Sequence, residues 1–118
     1  MQFEIKEEIH QTVVVLGLHG YFSDESGKIL LAKIRPLLQE KRMRFVIDFT
    51  DCSSINSPGA AKLMEIVLLI VEDFRGAVVI TGLKPLAASL LSMVGVIPPA
   101  EAAATVPEAI AKLTGGAA

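Results

Sequence analysis

From Val13 to Leu18 the chain reads Val-Val-Val-Leu-Gly-Leu, with no polar residue at either strand parity. A strand with one wetted face alternates apolar and polar residues. A run that is apolar on both parities needs cover on both sides, which is the setting of an inner strand in a sheet flanked by helices. This segment places the chain among α/β folds. Just before it, Phe3, Ile5, Glu7 and Ile9 alternate with Glu4, Lys6 and Glu8, the pattern of a strand with one mostly apolar face. A short break at His10 and Gln11 joins the two as a hairpin, with the first strand on the outside.

The rest of the chain alternates helix and strand signals. Ser23 or Asp24 caps a helix running to about Lys41, with Leu30, Ile34, Leu37 and Leu38 on one face and Pro36 predicting a kink or an early end. Phe45 to Phe49 is a short buried strand, and Thr50 to Asn56 the loop leaving its end. A second helix is expected from about Pro58 to Phe74, with Ala60, Leu63, Met64, Val67, Val71 and Phe74 turned inward. Lys62, Ile66, Leu69 and Asp73 then project to the opposite side. A strand over Gly76–Thr81 is followed by a short helix from Lys84 to Met93, with Leu86, Leu90, Leu91 and Met93 on or near its buried side and Gly95 closing it. A weak strand around Ala102–Thr105 precedes Thr105-Val106-Pro107-Glu108, a capping-box spacing that opens a last helix through Leu113. The order β-β-α-β-α-β-α-β-α implies a mixed, mostly parallel sheet with about four helices, in one domain spanning residues 1–118 and a frayed tail at 113–118.

Composition narrows the function. Eleven basic residues against 13 acidic ones, for a net charge of -2, offer no surplus to attract a polyanion, so nucleic acid is not an expected partner. The single cysteine, Cys52, closes no intrachain disulfide, and no Cys/His cluster has metal-ligand spacing. Cys52 itself is read as a small, partly buried loop residue without a basic neighbour to lower its pKa. The acidic start, Glu4 to Glu8, is the reverse of a signal peptide, and the apolar stretch Ile66–Val71 falls far short of the ~20 residues that span a bilayer. A cytoplasmic protein without membrane insertion is expected.

The segment with the most chemical content is Ile55-Asn56-Ser57-Pro58-Gly59, between a strand and a helix. Ser57 suits the N-cap and Pro58 the first helical position, where its missing N–H costs nothing. On this reading Ser57 needs no function. The alternative is phosphorylation: a phosphate there would sit beside free N–H groups at the positive end of the helix dipole, and a partner docked over it would meet about −1.5 to −2 new charges.

The whole chain from about Phe3 to Leu113 resembles the STAS domain family, and most of all its stand-alone anti-sigma factor antagonists. The motifs are Leu16-Gly17-Leu18-His19-Gly20, Val46-Ile47-Asp48-Phe49 and Asn56-Ser57-Pro58-Gly59. The resemblance implies an antagonist that binds an anti-sigma factor acting also as a serine kinase, is phosphorylated at Ser57 by it, and is reset by a serine phosphatase. It implies no cofactor, and a monomer or weak homodimer. The family usually has an acid where this chain has Asn56 and a second hydroxyl residue where it has Pro58. Ser23 and Asp24 fall on the loop that lies beside the phosphorylation site in similar proteins. The expected docking face is therefore Ser23, Asp24, Asn56, Ser57, Pro58, Gly59, Lys62, Ile66 and Leu69. A constitutive scaffold, as in a stress-signalling assembly or a lipid-transport complex, is the other reading, with Ser57 acting only as a cap.

Enzymatic readings lack their residues. An esterase elbow needs a glycine where Ile55 stands, and the only histidines, His10 and His19, belong to the strands near the start of the chain. No glycine-rich phosphate loop occurs. Asp24, Asp48 and Asp51 would form a cation pocket only if they converged opposite Lys84, and are read as solvated loop carboxylates.

Overall fold

The structure, a computed structural model, describes residues 2–115. Its elements run β1 (Glu4–His10), β2 (Val13–Phe22), α1 (Asp24–Gln39), β3 (Arg44–Ile55), α2 (Ser57–Leu68), β4 (Ala77–Thr81), α3 (Pro85–Met93), β5 (Glu101–Ala103) and α4 (Val106–Leu113). The five strands lie in sequence order, β1 antiparallel to β2 and every other neighbour parallel. This is the expected mixed sheet with β1 at an edge. Of the tail expected to fray at 113–118, Leu113 is the last residue of α4 and Thr114 its C-cap, whose hydroxyl donates to the Ile110 carbonyl at 2.9 Å, whereas 116–118 lie outside the described residues.

Both faces of β2 are covered, as its two-parity apolar run requires. Val14, Leu16 and Leu18 point to a core shared with α1, α2 and α3, whereas Val13 and Val15 join Val46, Val79 and Ala109 under α4. Burying a side chain of this size contributes about 1.5–3 kcal/mol, so the fully enclosed Leu16, Leu30, Phe45, Ile47 and Leu63 make the larger core the main stabilising layer.

Helix α1 continues through Pro36 and ends within a turn of it. Lys41 takes a left-handed conformation (φ 69°), and the amides of Lys41 and Arg42 donate back to Leu38 and Leu37 at 3.0 and 2.9 Å. Pro36 thus lies in the last turn, and of the two expected outcomes the helix shows the early end.

Helix α2 differs from the sequence expectation in two ways. It does not stay α-helical to Phe74: Leu69–Asp73 forms a π segment, closed by a Phe74 N–H bond to the Leu69 carbonyl at 3.1 Å. The wider turn changes the phase of the helix from Leu69 onward, so Ile70 is buried while Val71 and Phe74 are only partly covered; Met64, ahead of that turn and also expected inward, is partly covered too. The buried stripe is also broader than expected, because α2 packs against α1 on one side and α3 on the other. Ile66, expected to face outward, is fully buried (0% exposed). Helix α3 departs in the opposite sense, with Leu86 88% and Met93 83% exposed, so neither lies on the buried side.

Candidate functional site

Strand β3 is longer than its apolar run suggested. The segment from Thr50 to Ile55 is strand rather than loop, and parallel pairing with β2 continues, with register shifts after Gly17 and Gly20, to Phe22 opposite Ile55. The helices α1 and α2 therefore start side by side at the same end of the sheet. The Asn56 N–H donates to the Phe22 carbonyl at 3.2 Å. Ser23 caps α1, accepting from the Ser26 N–H at 3.2 Å, and the buried Ser26 hydroxyl donates to the Tyr21 carbonyl. Asp24 follows in the first turn, in an i,i+4 ion pair with Lys28 at 3.4 Å. The structure thus brings Ser23 and Asp24 next to Asn56, Ser57, Pro58 and Gly59.

Within this group the cap of α2 is Asn56, not Ser57. The Asn56 side-chain oxygen accepts from the Gly59 N–H at 2.7 Å, and its carbonyl accepts from Ala60 at 2.9 Å. Ser57 is the first helical residue and Pro58 the second. The reason is where β3 stops: the bond from Asn56 to Phe22 holds residue 56 in the extended conformation that a cap needs (φ -95°, ψ 171°). The free amides expected beside Ser57 are consequently nearly all taken. Gly59 serves Asn56, Ala60 is in the helix, and Pro58 has none. The Ser57 N–H is the one first-turn donor without a partner among the described residues.

Gly59 is buried against β2. A Cβ at this position would lie 2.3 Å from the Phe22 carbonyl oxygen, so only glycine lets α2 start this close to the sheet. Ser57 and Pro58, by contrast, are exposed.

The remaining members of the expected docking face do not join it as expected. The Lys62 stem lies across Gly27 of α1, where an added Cβ would come 2.2 Å from Lys62 Cγ, and its ammonium pairs with Glu65 at 3.4 Å. Its side chain is only 18% exposed, because it seals the α1–α2 crossing. Ile66 is in the core, and Leu69 is half-buried against it. The exposed apolar surface near the site comes instead from α3, which sequence reasoning missed. Ser53, Ser54 and Ile55 of β3 face Pro85, Leu86 and Leu90 across a groove of about 530 Å3. Its sequence signal was a short helix with apolar residues on more than one face.

The other polar groups are engaged elsewhere. Asp48 Oδ1 accepts from Thr50 N–H, Thr50 Oγ1 and Thr81 Oγ1 at 3.1, 2.7 and 3.0 Å, and Lys84 donates to the Cys52 carbonyl at 3.4 Å. Asp24, Asp48 and Asp51 are thus drawn to different partners, Asp51 lying 3.7 Å from His19. Cys52 is a buried strand residue, not a loop residue, and it does have a basic neighbour in Lys84. Burial pushes its thiol up from the ordinary value and outweighs the lowering by hydrogen bonds and by Lys84. His10 sits with Glu8 at the hairpin, at the opposite end of β2 from Phe22. No helix among the described residues is long and apolar enough to cross a membrane.

No protein-family model and no curated protein matches this sequence. Solved structures do match its fold. An anti-sigma factor antagonist from Mycobacterium paratuberculosis superposes with a TM-score of 0.81 at 15% identity, covering 96% of this chain and 95% of that one. An RsbS variant from Moorella thermoacetica gives 0.80 at 18% identity, over 94% and 95% of the two chains. The Bacillus cell fate determinant SpoIIAA, in its phosphorylated form, gives 0.70 at 20% identity over 94% and 98%. At these identities the likeness concerns the fold, and it extends over nearly the full length of both partners in each case. The chain carries the STAS fold of the stand-alone anti-sigma factor antagonists.

Proposed function

We propose that this protein is a non-enzymatic, cytoplasmic, partner-switching antagonist: unmodified, it binds an anti-sigma factor that is also a serine kinase, and phosphorylation of Ser57 releases it. The observation that carries this reading is that Ser57 is exposed at the start of α2 while Asn56 does the capping. A serine that caps nothing leaves its hydroxyl free to be a phosphoryl acceptor. In the transfer, Ser57 Oγ takes the γ-phosphoryl group of ATP, its proton passes to a base of the kinase, and ADP leaves.

The release follows from charge. The phosphate adds about −1.5 to −2 charges, and the first turn offers it one amide, that of Ser57 itself, plus a helix-end field worth about 0.3–1 kcal/mol when exposed. The group is therefore left on the exposed surface of Ser57 and Pro58, where a partner seated on the neutral Ser57 meets a new charge and added bulk. A serine phosphatase resets the switch.

Incubation with ATP and the candidate kinase tests the reading. It expects a single phosphoryl mass shift, lost in Ser57→Ala, and weak partner binding by Ser57→Asp. Absence of the shift, together with wild-type binding by Ser57→Asp, sinks it. A second reading, a constitutive scaffold, draws on the scarcity of free amides around Ser57, which gives a phosphate little backbone to bind. It expects that negative outcome with the partner still bound.

A further inference from the structure

We propose that β1 is the contact surface for a second copy of this chain, its free edge pairing antiparallel with the same edge of the other copy about a two-fold axis through Glu7. The inference is independent of what Ser57 does.

The hairpin supplies the geometry. Gln11 and Thr12 form its two-residue loop, with His10 opposite Val13. The closing pair of such a turn is hydrogen-bonded, so His10, Glu8, Lys6 and Glu4 direct their backbone groups to β2. Ile5, Glu7 and Ile9 direct theirs outward, to an edge that no other strand among the described residues covers. An uncovered strand edge is a template for pairing unless its side chains oppose it.

The side chains of β1 favour pairing in one register. Residues opposite each other in an antiparallel pair share a face, so the two-fold axis must pass through a residue. Centred on Glu7, the pairing sets Glu4 against His10, Lys6 against Glu8 and Ile5 against Ile9 of the second copy, each twice. The two Glu7 side chains meet on the axis, each already bound to its own Lys33 at 3.1 Å. Centring on Lys6 sets Lys6 against Lys6 and Glu4 against Glu8. Centring on Glu8 sets Glu8 against Glu8 and Lys6 against His10, and centring on Ile5 shortens the paired length.

The apolar exposure falls on the matching face. Ile5, Glu7 and Ile9 point to the α1 side, where Ile9 (46%) and Ile29 (44%) are exposed and a shallow hollow lies among Ile5, Ile29, Ala32 and Lys33. In the proposed register Ile9 of the second copy arrives opposite Ile5, at the rim of that hollow. Like and unlike charges directly opposite on a sheet are worth enough, pair by pair, to choose the register.

Sedimentation velocity on the full chain tests this. The wild type is expected to dimerise with rising concentration. Lys6→Glu alone and Glu8→Lys alone should each weaken the dimer on the order of tenfold or more, because each reverses both symmetry-related charge pairs. An equimolar mixture of the two single variants should form a heterodimer, and the double variant Lys6→Glu/Glu8→Lys should recover the homodimer. Circular dichroism establishes that each variant is folded. A wild type that stays monomeric up to its solubility limit overturns the proposal, as does a dimer indifferent to the reversals or one that the folded double variant fails to restore.

Discussion

The Gly59 N–H donates to Asn56 Oδ1 at 2.7 Å, and this bond transfers the capping of α2 from Ser57 to the residue before it. The stability consequence separates two adjacent residues. Asn56→Ala should lower stability by about 0.5–2 kcal/mol, the ordinary cost of losing a cap. Ser57→Ala should stay within about 0.5 kcal/mol of wild type, as surface changes do away from such features. Urea unfolding of both variants measures the difference, and equal losses would mean that Ser57 shares the cap.

Gly59→Ala should be far more damaging than its exposed neighbours suggest. The new Cβ meets the Phe22 carbonyl at 2.3 Å, and Phe22 is fixed in the sheet, so α2 must move as a unit. Overpacking of this kind costs about 1–3 kcal/mol or more. The same shift would disturb the Ser57 surface, so a folded Gly59→Ala protein should also bind its partner less tightly, as calorimetric titration would record.

Ile66→Ala distinguishes a core residue from a docking residue. Its side chain is fully buried in the larger core, and truncation should cost about 2–5 kcal/mol, including the cavity left behind. Thermal unfolding should show a lowered midpoint. A near-neutral effect would place Ile66 on the surface after all.

Cys52 gives a pH signature. Burial holds its thiol above the ordinary value of 9.0, so in the folded protein it stays protonated where the unfolded thiol ionises. The folded state then binds more protons than the unfolded one, and its stability falls as pH rises above about 9. Cys52→Ala should remove that part of the alkaline loss. Native Cys52 should also react slowly with iodoacetamide at neutral pH and quickly once unfolded, since the thiolate is the nucleophile.

Much of this fold was legible along the chain because its signals are local. The two-parity run at Val13–Leu18 demanded cover on both faces, and α1 to α3 and α4 provide it. Ser23 and Thr105 were recognisable as caps from the residues beside them, and both accept a bond from the residue three ahead. Local signals decide nothing where two solutions compete. Asn56 and Ser57 are both good caps, and nothing within a few residues chooses between them.

The sequence by itself determined the order of elements, the edge position of β1 and the placement of Ser57 at a strand-to-helix junction, since each follows from periodicity and turn chemistry. Only the tertiary structure decided which residue caps α2 and which faces of α2 and α3 are buried. The cap depends on how far β3 stays paired with Phe22, a contact more than thirty positions distant in the chain. The buried faces depend on how many neighbours press on each helix: two sides of α2 are covered, drawing Ile66 inward, whereas α3 lies at the margin and leaves Leu86 and Met93 in solvent.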